Sequence, residues 1–540
     1  MRVRDEQSLE TTSKVINAEF QKARWCLRPD TNNNDTNNNE LLTGDDLSID
    51  RSSIKSFYRN ACILVTGGTG FVGKVLLEKL LRTCDSLQCI YVLLRSKREL
   101  SSEERYHELI RNPVFDRIRE SYPERLQKII FIAGDISKAN IGVSNADLQM
   151  LKENVNIVFH SAATVRFDQS IKEAVNLNTL GSMRLWDLCA QMQKLRSIIH
   201  VSTAYTNPTC SNVGEQVYPP KVAMDLNTFI KCADALPEDL VVKIATHLQG
   251  SHPNTYTITK SMAEQMATEY HHKLPITIVR PSIVTCSLAE PYPGWVDNVN
   301  GITGIIMEIG RGTLSSIMCD NRLVLDVIPV DIACNMIITA AWLSYFKPSP
   351  NIRVYNCISG QLNRLDWETC RRKVLKYSRI YPSKYVMMYP NFSYRTNRFV
   401  HLFYEIFLHF LPAYLYDFIL RYKGMKPIMF KIARRYKTAA DTGEFFAMHE
   451  YNFAVENVKD LLHEISNADD GDEFKCDVKQ LDWDEYLKSY VCGIRKYILK
   501  DDDSTLERSR RTLKRLYALK LILQTLFFGT IGFIIYKILF

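Results

Sequence analysis

The chain has 540 residues, too many for one ordinary hydrophobic core, so two folded domains are expected. Hydrophobic residues at 46% and charged residues at 24% exclude both a disordered chain and one embedded wholly in lipid. The net charge of +8 is spread along the chain, so no basic block argues for a nucleic-acid partner, and part of the excess collects near the C-terminus.

Residues 1–56 carry no apolar periodicity and include the polar run Thr31-Asn32-Asn33-Asn34-Asp35-Thr36-Asn37-Asn38-Asn39-Glu40, so they are expected to form a flexible tail. The apolar run Cys62-Ile63-Leu64-Val65 then leads into Thr66-Gly67-Gly68-Thr69-Gly70-Phe71-Val72-Gly73 and an apolar helical stretch at 75–81. A buried strand, a glycine turn and a helix make a dinucleotide-binding unit. Gly67 allows the tight turn, Gly70 lets the backbone approach a pyrophosphate, and Gly73 lets the helix pack closely on its strand. The helix N-terminus presents unpaired N–H groups to the phosphates. Thr66, Gly67, Gly70, Phe71, Val72 and Gly73 are therefore candidate cofactor contacts.

Further strand candidates fall at 90–94, 129–133, 157–160, 198–202 and 276–280, separated by helical patterns. This alternation predicts an α/β domain over 57–360, with a doubly wound parallel sheet covered by helices on both faces. Beyond 360 glycine thins out and helical periodicity dominates, which predicts a separate, mostly helical domain over 361–500. Its richest apolar stretch, 399–420, carries Glu405, Asp417, two histidines and Pro412, a poor free-standing membrane span. Length and charge placement favour core helices there over a membrane-surface face.

A basic linker, 501–515, precedes a final apolar segment, 516–540. Residues 521–536 carry no charge and as a helix cover about 24 Å; counting 519–540 extends this to about 33 Å, enough for a ~30 Å hydrocarbon core. Arg508, Arg510, Arg511, Lys514 and Arg515 stand before it, which predicts a single-pass anchor in the lipid bilayer with the preceding chain in the cytosol. A span so near the C-terminus suits the endoplasmic reticulum, with the peroxisomal membrane as the alternative. The fourteen cysteines form no C-x-x-C pair, no histidine stands at metal-ligand spacing, and no signal peptide is recognisable. They are expected as buried, reduced thiols, and no metal site is expected.

Tyr256 and Lys260 stand four residues apart in Asn254-Thr255-Tyr256-Thr257-Ile258-Thr259-Lys260, so on a helix they share one face. Hydride chemistry on a carbonyl needs such a pair: a phenol that gives a proton to the oxygen, and an ammonium that lowers the phenol pKa and can bind the nicotinamide ribose. The strand at 198–202 ends in Val201-Ser202-Thr203-Ala204-Tyr205, which puts hydroxyls at a strand edge where doubly wound sheets bind ligands. After the second strand come Arg95-Ser96-Lys97-Arg98, where an NAD site would carry a carboxylate. Arg95 and Lys97 there suit a 2′-phosphate, and so NADPH.

The constellation resembles the extended short-chain dehydrogenase/reductase superfamily and implies a Rossmann sheet. Matched residue by residue, Tyr256 would be the acid, Lys260 its modulator, and Thr203, or its neighbour Ser202, the hydroxyl that polarises the carbonyl. Asp135 in Gly134-Asp135-Ile136 resembles the adenine-contacting Asp, with Ile136 beside it. Ser161, Ala162 and Ala163 resemble the small-residue segment that lets the fourth strand approach the cofactor. Asn178 either supports the central helix or packs locally, and Arg280-Pro281-Ser282 is similar to the segment near the nicotinamide amide.

A narrower resemblance, to fatty acyl-CoA reductases, covers roughly 57–500. It rests on the glycine turn, His160 to Asp168, Pro253 to Lys260, Gly294-Trp295-Val296-Asp297-Asn298, Ile328-Pro329-Val330-Asp331 and the late Asp482-Trp483-Asp484-Glu485-Tyr486. His252 and Tyr451 depart from it, each standing where the family often has Trp. The resemblance implies that a long-chain acyl-CoA and two NADPH give a fatty alcohol, free CoA and two NADP⁺, by way of an aldehyde. Two rivals share the residues: a reductase or isomerase of the same fold acting on a sterol or nucleotide-sugar carbonyl, and a silent NADP-binding scaffold.

Overall fold

The computed structural model describes residues 49–97, 100–222 and 224–539. The polar tract at 31–40, expected to be flexible, lies outside the described residues. The chain from Asp50 onward is one compact unit.

Seven parallel strands form its central sheet: β1 Cys62–Thr66, β2 Cys89–Leu94, β3 Ile129–Ala133, β4 Ile157–His160, β5 Ser197–Val201, β6 Ile276–Pro281 and β7 Arg353–Cys357. Their order across the sheet is β7-β6-β5-β4-β1-β2-β3. Strands β1, β2, β4, β5 and β6 are buried at every position, as near-continuous apolar runs covered on both faces must be. The order reverses between β1 and β4, where Ile63 pairs with Ile157 and Thr66 with His160, so a crevice opens at their C-terminal ends. Helices α1 (Phe71–Thr83) and α2 (Thr255–His271) carry the two sequence motifs. The apolar helix Val330–Phe346 packs on α1 and the sheet. The seventh strand was not marked by the sequence, because Arg353 and Asn356 interrupt its short apolar run.

After β7 helices dominate, among them α3 (Met429–Ala447) and α4 (Trp483–Gly493), before the terminal helix α5 (Leu506–Leu539). Among the described residues, Asp503–Leu539 is the one helical stretch long and apolar enough to cross a membrane, with mean hydropathy 1.9 and its apolar window unburied.

Four expectations need correction. The polar start does not extend to 56: Ile54 and Phe57 lie in a buried helix, whose Ile54 and Lys55 N–H groups donate to Asp470 at 2.8 and 2.9 Å. Residue 360 is no boundary between separate cores, since Val296, Ile306 and Val327 share one apolar cluster with Trp367, Trp483 and Tyr490. The basic segment 501–515 is not wholly a linker, because α5 begins inside it at Leu506 and continues unbroken into the apolar part. The stretch 399–420 is not core: Phe399 is 85% exposed and Phe418 64% exposed.

Candidate active site

The glycine turn closes β1 at the crevice. Gly67 has φ 77°, and a Cβ there would stand 2.7 Å from the Ala162 nitrogen and 2.8 Å from Ser161, so only glycine fits against β4's end. A Cβ on Gly73 would strike the Gly67 carbonyl, so this glycine sets how closely α1 follows the strand. Gly70 differs: among the described residues only the Gly67 oxygen, at 3.1 Å, would lie near a Cβ there, which leaves its outer face clear. Thr66 ties the turn to β4, with its Oγ1 2.7 Å from His160 Nδ1 and accepting the Ala162 N–H at 3.3 Å. Phe71 stacks on Trp295 at 5.5 Å, and the Val72 carbonyl accepts from the Cys334 thiol.

Tyr256, Lys260 and Thr203 meet at the C-terminal end of β5. Asn254 caps α2 by accepting the Thr257 N–H, which starts the helix one residue before Tyr256. Lys260 is buried and donates to the Val201 carbonyl at 2.7 Å. Burial pulls its ammonium down to about 8, against the raising charge of Glu264. Burial likewise pushes the Tyr256 phenol up to about 12, while a hydrogen bond with Thr203 opposes the rise. Burial outweighs the lowering expected from Lys260, whose ammonium donates to the Val201 carbonyl, and the Glu264 charge raises the phenol further. Ser202 is placed differently from Thr203: its Oγ is buried without a hydrogen-bond partner among the described residues.

A polar network holds this triad to the nucleotide crevice. Asn178 accepts the Thr164 N–H at 2.8 Å and donates to the Thr164 carbonyl and to Thr259 Oγ1, so it braces α2 against the loop after β4. His160 Nε2 lies 2.8 Å from Ser182 Oγ, which in turn donates to the Asn178 carbonyl. Burial and the Lys260 charge hold His160 down to about 3, so it is a neutral link in this chain. Arg280 does not reach out toward a nicotinamide. Its guanidinium is buried, forks onto Glu264 at 2.8 and 2.5 Å, and donates to the Gly214 and Gln216 carbonyls.

At the other end of the crevice Arg95 lies 3.7 Å from Asp135, which also accepts the N–H and O–H of Ser137. Ile136 packs against Gly181, and Lys97 is exposed at a backbone bridge to Leu100. Arg105 was missed by the sequence reading. Its guanidinium donates to the Arg95 carbonyl at 2.5 Å and to Thr69 Oγ1, in the glycine turn, at 2.8 Å. Only the fold brings Arg105, on the helix Ser102–Ile110, back to that turn.

Residues from beyond 360 complete the wall opposite Tyr256. Phe167 lies 5.7 Å from Tyr256 and 6.2 Å from Phe446 on α3, and Tyr205 packs on Phe446 and Tyr451 at 5.1 and 5.5 Å. Strand pairing of Asn452–Phe453 with Asn212–Val213 fixes this approach. The late motif is structural: Tyr486 donates to the Cys286 carbonyl, and Asp484 pairs with Lys373. Asp331 accepts three consecutive N–H groups, from Leu288 to Glu290. Among the described residues no cluster of His, Cys, Asp or Glu could hold a metal ion.

Comparison with known proteins agrees with this layout. An NAD-binding family model described as male sterility protein matches residues 65–337, and a second model of the same description matches 408–501. The human protein "Fatty acyl-CoA reductase 1" is 38% identical over 464 residues, covering 86% of this chain and 90% of its own. The mouse "Fatty acyl-CoA reductase 2" is 37% identical over 477 residues, covering 88% of this chain and 92% of its own. Among solved structures, the terminal reductase domain of the myxalamid biosynthetic pathway superposes with TM-score 0.53 at 19% identity, over 82% of this chain and 93% of that one. A reductase domain of a Mycobacterium tuberculosis nonribosomal peptide synthetase gives 0.51 at 14% identity, over 84% and 96%. These two likenesses speak for the fold alone. With relatives 37–38% identical covering 86–88% of its length, the chain belongs to the fatty acyl-CoA reductase family of the extended short-chain dehydrogenase/reductases.

Proposed function

We propose that this protein reduces long-chain acyl-CoA to the fatty alcohol with NADPH, held by α5 in a membrane with its catalytic body in the cytosol. The observation that carries the reading is the meeting of Thr203, Tyr256 and Lys260 at the end of β5, beside the Gly67–Gly73 turn and under an aromatic wall from the second half of the chain.

The residues present fit a dinucleotide. The face of Gly70 is clear, and α1 begins directly after it with no side chain capping its first N–H groups. Arg105, bonded to the glycine turn at Thr69, and Arg95 beside it support a reading of the 2′-phosphate, and Lys260 would hold the nicotinamide ribose. When bound, the cofactor supplies a hydride to the substrate carbonyl carbon.

The chain's own groups handle the oxygen. Tyr256 is protonated throughout the physiological range, its pKa being about 12, so it is a donor from the start. In the first reduction Tyr256, with Thr203 hydrogen-bonded to the same oxygen, protonates the hemithioacetal; on collapse that O–H returns its proton to the Tyr256 phenolate, and CoA leaves as a thiolate that takes a proton from solvent, leaving the aldehyde. In the second, Tyr256 gives its proton to the aldehyde oxygen as the alcohol forms. Thr203 is the better polarising hydroxyl than Ser202, because it reaches Tyr256. Phe167, Phe446 and Tyr205 form an apolar wall suited to the first carbons of an acyl chain.

The reading is tested by Tyr256→Phe in washed membranes given NADPH and acyl-CoAs of several lengths. Alcohol formation should be lost while NADPH binding persists. A variant that keeps most of its turnover overturns the role of Tyr256. A product other than alcohol from the unaltered protein selects a rival of the same fold, and none at all selects the scaffold. Fractionation then decides between endoplasmic reticulum, the membrane favoured here, and the peroxisomal membrane.

A further inference from the structure

Residues 398–430 are inside-out by the standard of a soluble helix. Arg398–Tyr404 continues through Glu405–Phe410 into Leu411–Tyr422, and Phe410 packs on Phe430 at 5.4 Å to close a hairpin onto α3. The outward side chains include Phe399, Phe403, Phe407, Phe418 and Tyr422, exposed from 48 to 88%. The inward ones are polar and engaged. His401 Nδ1 lies 3.0 Å from Ser316 Oγ, and Glu405 pairs with Lys437 at 2.6 Å. His409 accepts the Ser315 N–H at 2.9 Å, and Asp417 accepts the N–H groups of Ile428, Met429 and Phe430. A helix in water turns such groups outward and its aromatics inward. Here every inward polar contact orients the hairpin so that its apolar side must face something other than water.

Two observations name the occupant. The hairpin and the start of α5 fasten to the same short stretch of the body. Ser315 bonds His409 and takes the Ser393 N–H at 3.0 Å, while neighbouring Gly312 lies against Met388. The next residue, Tyr389, packs on Tyr517 at 4.9 Å and lies beneath Lys520 at 5.3 Å, where the apolar part of α5 begins. The turn of the hairpin also carries exposed Arg421, Lys423 and Lys426, with Arg434 and Arg435 on the next helix. That charge suits anionic headgroups. A second copy of the chain docked two-fold on this face would bring those basic turns together instead.

We propose that residues 398–430 form an interfacial hairpin, lying in the headgroup boundary of the same bilayer that α5 enters. This rests on the reading of α5 as a membrane span. Because α3 runs from this hairpin to Phe446, beside Phe167 and Tyr256, one rigid helix links the lipid surface to the catalytic wall.

The full-length protein is reconstituted in phosphatidylcholine vesicles, with and without phosphatidylserine. These carry a phospholipid whose photoreactive group sits near the headgroup or at the chain end, and adducts are mapped by mass spectrometry. Expected are adducts on 399–430 with the shallow probe, several-fold more with phosphatidylserine, and adducts on 516–539 with the deep one. In the full chain, Phe407→Glu with Phe418→Glu should remove most adducts from 399–430 without moving the thermal midpoint, both side chains being exposed. Adducts confined to 516–539 overturn the hairpin and leave the span intact. Adducts on 399–430 but none on 516–539 keep the hairpin and overturn the span. Cross-links between copies through 399–430, with no lipid adducts there, overturn the hairpin in favour of a protein partner.

Discussion

Glu264→Gln leaves the Arg280 guanidinium buried beside a neutral amide. The two side chains are 0% and 1% exposed, and their forked contact is one turn of α2 beyond Lys260. Removing one partner of a buried pair costs about 3–5 kcal/mol, because the remaining charge keeps its desolvation penalty. Arg280 retains two carbonyl acceptors, at Gly214 and Gln216, which places the expected loss near 3 kcal/mol. Replacing both residues, with Glu264→Leu and Arg280→Met, should cost less than the sum of the single changes. The same carboxylate holds up the Lys260 pKa against burial, so its loss should move the Lys260 titration below about 8. Burying this ammonium weighs against folding below pH 8, and that cost fades between pH 8 and the unfolded value of 10.5. Its charge at the ribose is present below pH 8 and lost above. Cofactor affinity should therefore fall as pH rises through 8 in the natural protein and at a lower pH in Glu264→Gln. Urea denaturation of the detergent-solubilised full chain and NADPH titrations across pH read the two effects. A midpoint change worth under about 1 kcal/mol, or an unmoved pH break, refutes the reasoning.

Thr203→Ala should lower kcat by 10²-fold or more on the scale of a lost oxyanion donor, whereas Ser202→Ala should change it little; equal effects would deny Thr203 its separate role. Arg105→Ala should weaken NADPH binding by about 1.5–3 kcal/mol, leaving NADH binding nearly unchanged, as fluorescence titration would show. Phe446→Ala should raise KM for long acyl-CoAs more than for short ones in steady-state assays, and a uniform change would place the acyl chain elsewhere.

The residues that carried fold and chemistry in the sequence were those whose neighbours in space are also neighbours in the chain. The run 62–73 holds a strand, a turn and a helix start, and Tyr256 and Lys260 share one helix face; both can be read locally. Arg105 reaches the glycine turn only through the folding of the segment between them, and Phe446 reaches Phe167 across 279 residues of chain. No periodicity conveys either contact. The stretch 399–420 misled for a related reason: an amphipathic pattern shows that two faces differ, not which of them is turned toward the body. The hydrogen bond of Lys260 was likewise illegible, since the Val201 carbonyl that accepts it lies on β5, 59 residues away along the chain.

Helix α5 is bonded to the body before it leaves it, through Arg510 to the Ile380 carbonyl and through Tyr517 on Tyr389. Its 34 residues measure about 51 Å, some 20 Å more than a hydrocarbon core, and no glycine interrupts it before Gly529. With α5 in the bilayer as proposed, the shaft would be continuous across the waterline, without a swivel at the lipid surface. A tethered enzyme on a limp cord would sample all headings and meet its membrane at random. On the proposed anchor this one would be mounted like a lamp on a fixed bracket, its tumbling reduced to spin about the membrane normal and its altitude above the bilayer set by the shaft. A greasy product would then be released at the same height above the lipid at every turnover.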